Sequence, residues 1–301
     1  MFRLGMGFVE FLRVRKALAI YAIVLAIGAT FIVGSIEYGL HQARHGIHVH
    51  VAHKLHGALE PSTAGQGSST GISPGGGKEG EKIVMGPKSL ADLKFDVPLA
   101  WITGLAVFSV MIFAMFVSTS LNKENGRGGF AFTKPISRER LAIGYMATDA
   151  AAILIAYLYT IAVILLCFAA LGITGKIVVD SSWLPVTAAG LGATFMWYGL
   201  LQAITGSLGW PGGLFAGLSW PVFSLAAALY QVDFFGPIFH AAIAVVDFFN
   251  PFAYFGISSS NDSVSSLSLF GFSTVACIAI TWSVAFVACA VAIFEWKRVE
   301  V

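Results

Sequence analysis

Between Asp180 and Asp233 the chain carries no charged residue. No soluble fold hides so long an apolar stretch, and it is too long for a single membrane crossing, which takes about 20 residues. Its middle reads "GSLGWPGG", Gly206 to Gly213. Glycine admits unusual backbone angles and Pro211 cannot continue a helix, so the stretch divides there into two spans. The same constraint holds along the whole 301-residue chain: 57% of residues are hydrophobic and 11% charged, against about 25% charged in ordinary soluble domains. The expected class is an all-α polytopic membrane protein, a single transmembrane domain over 1–301 that sits in the lipid bilayer of the cell membrane. A formal net charge of +2 gives no reason to expect a nucleic-acid partner.

Hydropathy places six spans at 17–36, 97–121, 141–174, 183–206, 212–232 and 268–294. Residues 1–16, "MFRLGMGFVEFLRVRK", mix Phe2, Phe8, Phe11 and Leu12 with basic residues, which suits a helix lying in the membrane interface. Residues 37–96 form a long loop whose 61–82 portion is Pro/Gly/Ser-rich and expected to be flexible. Residues 233–262 are apolar, but Pro237 and Pro251 break them, so they read as a hairpin of re-entrant or interfacial helices. Short basic segments gather on one side: Arg3, Arg13, Arg15 and Lys16, then Lys123, Arg127, Lys134, Arg138 and Arg140, then Lys297 and Arg298. The positive-inside rule puts both termini and the segment 122–140 in the cytoplasm, and 37–96 and 233–262 outside.

The sequence has no catalytic signature and no ATP site of its own, so it is not expected to be an enzyme, and no cofactor is implied. "GISPGGGKEG" imitates a phosphate loop, but Glu79 follows Lys78 where Ser or Thr is required. Cys167, Cys277 and Cys289 all lie in apolar runs, which argues against a disulfide framework. Asp149 is the one ionisable residue well inside a span; it must face protein or water, and a translocation path, protonation or a bond to a neighbouring helix would each satisfy it. His41, His45, His48 and His56 share one helical face, with His50 and His53 on another. Neutral imidazole is a common metal ligand, yet no acidic or cysteine partner is interleaved, and no metal site is assigned. Gly213 and Gly217 stand at small-xxx-small spacing, which allows close helix packing.

The segment "KENGRGGFAFTKPISRERLAIGY", Lys123 to Tyr145, resembles the cytoplasmic loop between spans two and three of ABC-2-type transporter permeases. Glu124 and Gly126 match the start of that pattern, Pro135, Ile136, Ser137 and Arg138 its second block, and Gly144 its last glycine. Arg127 stands where the family has threonine, and Tyr145 where it has lysine. "NPFAYF", Asn250 to Phe255, resembles an Asn-Pro element the family often carries between spans five and six. The resemblance implies the transmembrane subunit of an ABC exporter, paired with a second permease copy (identical or paralogous) and driven by a separate ABC ATPase subunit. Its coupling residues would be Glu124, Gly126, Arg127, Phe130, Phe132, Pro135, Ser137 and Arg138. The residues themselves add that Phe130 and Phe132 are apolar anchors for a contact, and that Ser137 can cap the helix of the third span. Two alternatives remain at this point: a membrane-bound metal-handling or assembly factor that uses the histidines, and a non-transporting structural subunit of a larger complex.

Overall fold

The computed structural model describes residues 3–46, 95–118, 137–208, 212–230, 236–254, 257–260, 263–266 and 270–298. They form seven helices: α1 (Arg3–Gly46), α2 (Leu99–Val117), α3 (Arg138–Ala170), α4 (Trp183–Leu208), α5 (Gly212–Tyr230), α6 (Gly236–Phe248) and α7 (Thr274–Arg298). Five of these, α1, α2, α3, α4 and α7, contain stretches long and apolar enough to cross a membrane. Large apolar side chains on their outer faces are exposed, among them Ile27 on α1, Leu158 on α3 and Phe286 on α7. Such faces suit hydrocarbon as the surrounding solvent, because a helix satisfies its own backbone hydrogen bonds there.

Side-chain ties fix the direction of each helix. Arg13 meets Asp149, and eight residues later Tyr21 meets Thr160, so α1 and α3 run parallel. Two short strands, β1 (Val97–Pro98) and β2 (Ile177–Val178), pair in parallel just ahead of α2 and just after α3. Nearby, the Ala100 amide donates to Asp180 Oδ1 at 3.2 Å, which satisfies a donor in the first turn of α2. Hence α2 begins where α3 finishes and runs antiparallel to it. Tyr157 bonds Thr187 and Asp149 bonds Tyr198, so α4 is also antiparallel to α3. Trp282 donates to the Ala188 carbonyl, while Gly199 lies against Ala285 and Ala288, so α7 runs parallel to α4. The start of α1, the ends joined by 119–136, and the end of α7 therefore share one end of the bundle. Residues 47–94 and 171–182 connect helices at the other end.

Near the second end the chain folds back on itself. In α5, Trp220 sits against Trp197 of α4, and Tyr230 reaches Phe270, shortly before α7 begins. The next helix, α6, returns antiparallel to α5: His240 stacks on Tyr230, and Asn250 bonds the Phe223 carbonyl. A 3-10 turn, Pro251–Tyr254, reverses the chain again. Within 233–262, where a broken hairpin was expected, residues 236–254 are thus one short helix and a turn, inserted from the α7 side to the depth of Trp197. Beyond it, β3 (Ile257–Ser260) and β4 (Ser263–Ser266) form an antiparallel hairpin where no strand was expected.

Other boundaries shift for local reasons. The segment expected to lie in the interface, 1–16, is from Arg3 onward the start of α1, a 44-residue helix with no break ahead of residue 17. At 1.5 Å per residue it extends ~66 Å, about twice the hydrocarbon thickness of a bilayer. The buried Val14 and the Arg13 contact hold its first part against α3. The third span was expected to reach 174, but α3 stops at Ala170. Leu171 closes it by donating to the Cys167 carbonyl, and Gly172, at φ +69°, turns the chain away. Pro221 lies within α5 without ending it.

The tightest contact joins α4 to α7, and small residues make it. Ala189, Gly192 and Gly199 face Cys277, Thr281, Ala285 and Ala288. A Cβ placed on Gly192 would stand 3.0 Å from the Trp282 ring and closer still to the Thr281 hydroxyl. By contrast Gly217, expected from its spacing to mark close packing, is exposed, with nothing within 4 Å of a Cβ added there. Gly192→Ala is therefore expected to overpack the contact at a cost of ~1–3 kcal/mol. Gly217→Ala should be neutral, or stabilising by up to ~1 kcal/mol through helix propensity. Thermal unfolding of both purified variants in micelles checks the contrast.

Candidate functional site

The polar residues of the spans gather between helices instead of facing outward. Asp149 is fully buried. The guanidinium of Arg13 donates from Nη2 to its Oδ1 at 2.6 Å, and the Tyr198 hydroxyl donates to its Oδ2 at 2.8 Å. Gln202, one turn further along α4, donates from Nε2 to the Tyr198 oxygen at 3.0 Å. Both carboxylate oxygens are thus occupied, one by a cation from α1 and one by a phenol from α4. Asp149 lies eleven residues into α3, ~16 Å from its start. A carboxylate at that depth is costly unless paired and hydrogen-bonded, and this one is both. Of the three possibilities open to Asp149 in the sequence, the bond to neighbouring helices is the one for which the structure supplies partners.

A second polar layer lies further along α1. Tyr21 is 2.7 Å from Ser109 of α2 and 2.7 Å from Thr160 of α3. Thr160 already gives its proton to the Ala156 carbonyl. Tyr21 must then donate to Thr160 and accept from Ser109, so one proton order satisfies all three hydroxyls. Tyr159 adds a bond to the Ala22 carbonyl at 3.3 Å. Between Arg13 and Ala22, then, α1 is held by side-chain hydrogen bonds to α2 and α3. Past that point its large apolar residues face outward, Ile27 at 65% and Phe31 at 75% exposure.

A third cluster belongs to the inserted hairpin. Asn250 donates from Nδ2 to the Phe223 carbonyl (2.9 Å) and to Asp247 Oδ1 (2.8 Å), and its own Oδ1 accepts from the Phe252 amide (3.0 Å). One side chain thereby ends α6, starts the 3-10 turn and pins both to α5. Asp247 is fully buried, and its Oδ2 has no hydrogen-bond partner among the described residues. Burial raises its carboxyl above the ordinary range, against the opposing effect of the Asn250 hydrogen bond. Burial likewise raises the Tyr254 phenol, which donates to the Phe248 carbonyl.

Of the expected coupling residues, Ser137 is placed directly. It is the N-cap of α3 and accepts from the Arg140 amide at 3.4 Å, the role its position ahead of Arg138 suggested. Arg138 is the first residue of α3. Glu124, Gly126, Arg127, Phe130, Phe132 and Pro135 lie outside the described residues. His41 is exposed on α1 and His45 belongs to the same helix, whereas His48, His50, His53 and His56 lie outside the described residues. Among the described residues no three His, Cys, Asp or Glu side chains come together as a metal site would require.

Sequence reasoning missed the partners of Asp149. Arg13 counted there as one more basic residue of the inside face, and Tyr198 and Gln202 passed unremarked. A signal existed: glutamine is costly in an uncharged span, and Tyr198 precedes it by one helical turn. Removing the Arg13 charge alone should strand Asp149. Arg13→Met is expected to cost ~3–5 kcal/mol, the usual result of orphaning one partner of a buried pair. Arg13→Met combined with Asp149→Leu should recover much of that loss, as measured by unfolding midpoints in micelles. Against all this geometry, no protein-family model, no curated protein and no solved structure matches the chain.

Proposed function

We propose that the chain is the transmembrane subunit of an ABC-2-type exporter, a permease without catalysis of its own, driven by a separate ABC ATPase subunit. The observation that supports this reading is where the end of α2 and the start of α3, which residues 119–136 join, lie in the bundle. These two helices pack together at the end of the bundle that also holds the start of α1 and the end of α7. At one side of the segment, Ser137 caps α3, so a displacement passes directly into the helix that bears Asp149. From Asp149 the motion has two outlets, α1 through Arg13 and α4 through Tyr198. An ATPase that grips the segment thereby moves three helices together.

In this reading α5 is a sixth crossing helix, both termini and residues 119–136 are cytoplasmic, and the protein lies in the cell membrane as a dimer with an identical or paralogous copy. The direction of α5 supports the sixth crossing, since it leaves the end of α4 and arrives near the start of α7. The basic residues near both termini and in the 123–140 segment support the orientation. Glu124, Gly126, Arg127, Phe130, Phe132, Pro135, Ser137 and Arg138 form the contact, with the two phenylalanines at its centre.

The test is copurification. The tagged full-length chain, extracted from its own membranes, should retain an ATPase subunit. Phe130→Ala with Phe132→Ala should release it and abolish ATP hydrolysis coupled to the permease, by the several kcal/mol that central aromatic contacts supply. Glu124→Lys should weaken assembly modestly and make it salt-sensitive. A double-alanine variant that keeps its ATPase and couples normally contradicts the proposal.

A further inference from the structure

A cavity of about 290 Å³ lies between α4, α5 and α6. Trp197, Leu201 and Ile204 form its wall on α4, Ser219 and Phe223 on α5, and Val246 on α6 with Phe249 just past its end. No charged side chain lines it, and the indole Nε1 of Trp197 is itself buried without a hydrogen-bond partner among the described residues. An apolar cavity of ~150 Å³ stays dry and takes a benzene-sized guest, so this one has room for about a dozen hydrocarbon carbons. Its surface is almost wholly apolar, so a polar or charged guest would lose its hydration with little replacement.

The position of the opening selects the occupant. Val246 and Phe249 line the cavity and are also 41% and 44% exposed on the outer face of α6. Their neighbours on that face are apolar as well: Val245 beside them, and Val222 and Leu225 on α5. The cavity thus continues directly into a surface that meets hydrocarbon in a membrane. The inserted hairpin shapes it, because α6 ends at Phe248 and the chain turns at Asn250 beside the α4 wall. Asn250, bonded to the Phe223 carbonyl and to Asp247, keeps the hairpin from sliding further in to fill the space.

We propose that this cavity holds the end of one acyl chain of a membrane lipid. The chain enters between α5 and α6 and takes the place of the side chains that a full-length sixth-span neighbour would supply. The site needs only a bilayer around the helices, so it stands or falls independently of the ATPase partner.

The experiment uses the full-length chain in vesicles of phosphatidylcholine with a small fraction carrying a photoactivatable diazirine near the end of one acyl chain. After illumination, labelled positions are read by peptide mass spectrometry. The expected result is labelling at Ile204, Val246 and Phe249 several-fold above that at Ile27 and Phe31, which face lipid on α1 without a cavity. Ile204→Phe and, independently, Val246→Trp fill the space from opposite walls. Each should remove the excess and leave α1 labelling unchanged. Equal labelling of α1 and the cavity walls in the wild-type chain means ordinary surrounding lipid and overturns the proposal. So does an excess that survives both substitutions. Cross-links from these walls to a second copy of the chain, in place of lipid adducts, overturn it as well, because the occupant is then protein. The wild-type ratio decides the matter even if one variant fails to fold.

Discussion

One buried carboxylate organises this bundle. Asp149 cannot face hydrocarbon, so the chain must bring it partners, and the partners come from two other helices. Arg13 arrives from α1 and Tyr198 from α4. Each pairing is distant in sequence, and together they set which helices are neighbours and in what register. Apolar burial discriminates poorly here, since lipid is as greasy as a helix face. A charged pair with one geometry discriminates well. Slipping α1 by one residue would turn Arg13 away by about 100°, leaving two uncompensated charges where few water molecules reach.

The remaining contacts divide into two kinds. Between α4 and α7 the helices touch through glycine, alanine, threonine and cysteine, so dispersion and close backbone approach hold them. On α1 the stretch from Arg13 to Ala22 is held by polar bonds to α2 and α3 and by the packing of Val14, Ala17, Leu18 and Tyr21, whereas Ile27 and Phe31 beyond it face outward. Residues 119–136 join α2 and α3 at the same end of the bundle. In the proposed exporter, the driven segment and α1 are thus connected through Asp149 and through the bonds of Tyr21 and Tyr159.

Much of this architecture is legible in the sequence. Hydropathy locates α2, α4 and α7 within a few residues, because a membrane crossing is a local property of about 20 residues. The Ser137 cap is legible too, since a cap depends on three or four consecutive residues. Pairing is not local. Nothing near Arg13 distinguishes it from Arg15, and only the fold, 136 positions away, makes one a structural partner and leaves the other exposed. Gly192 and Gly217 illustrate the same limit. Spacing alone favoured Gly217 with Gly213, but nothing lies within 4 Å of a Cβ at Gly217, while close approach occurs at Gly192 and Gly199, where Thr281 and Ala285 face them. The hairpin's insertion was legible as a broken apolar segment, but its depth is set by the Asn250 bonds to α5. The β3–β4 hairpin was missed because its serine-rich strands carry no apolar alternation. Of the proposed coupling contact, the sequence alone supplies the aromatic centre.

The central claim is that both chain ends and the segment between α2 and α3 lie on one side, with residues 47–94 on the other. Side-specific labelling of single cysteines in sealed, right-side-out membranes tests it most directly, once Cys167, Cys277 and Cys289 are replaced by alanine. Cysteines at Gly128 and Glu300 should resist an impermeant reagent until the membranes are opened, while one at Ser73 should react at once. If Gly128 and Ser73 react from the same side, the helix directions derived from the Asp149 and Tyr21 contacts are wrong, and the account fails with them.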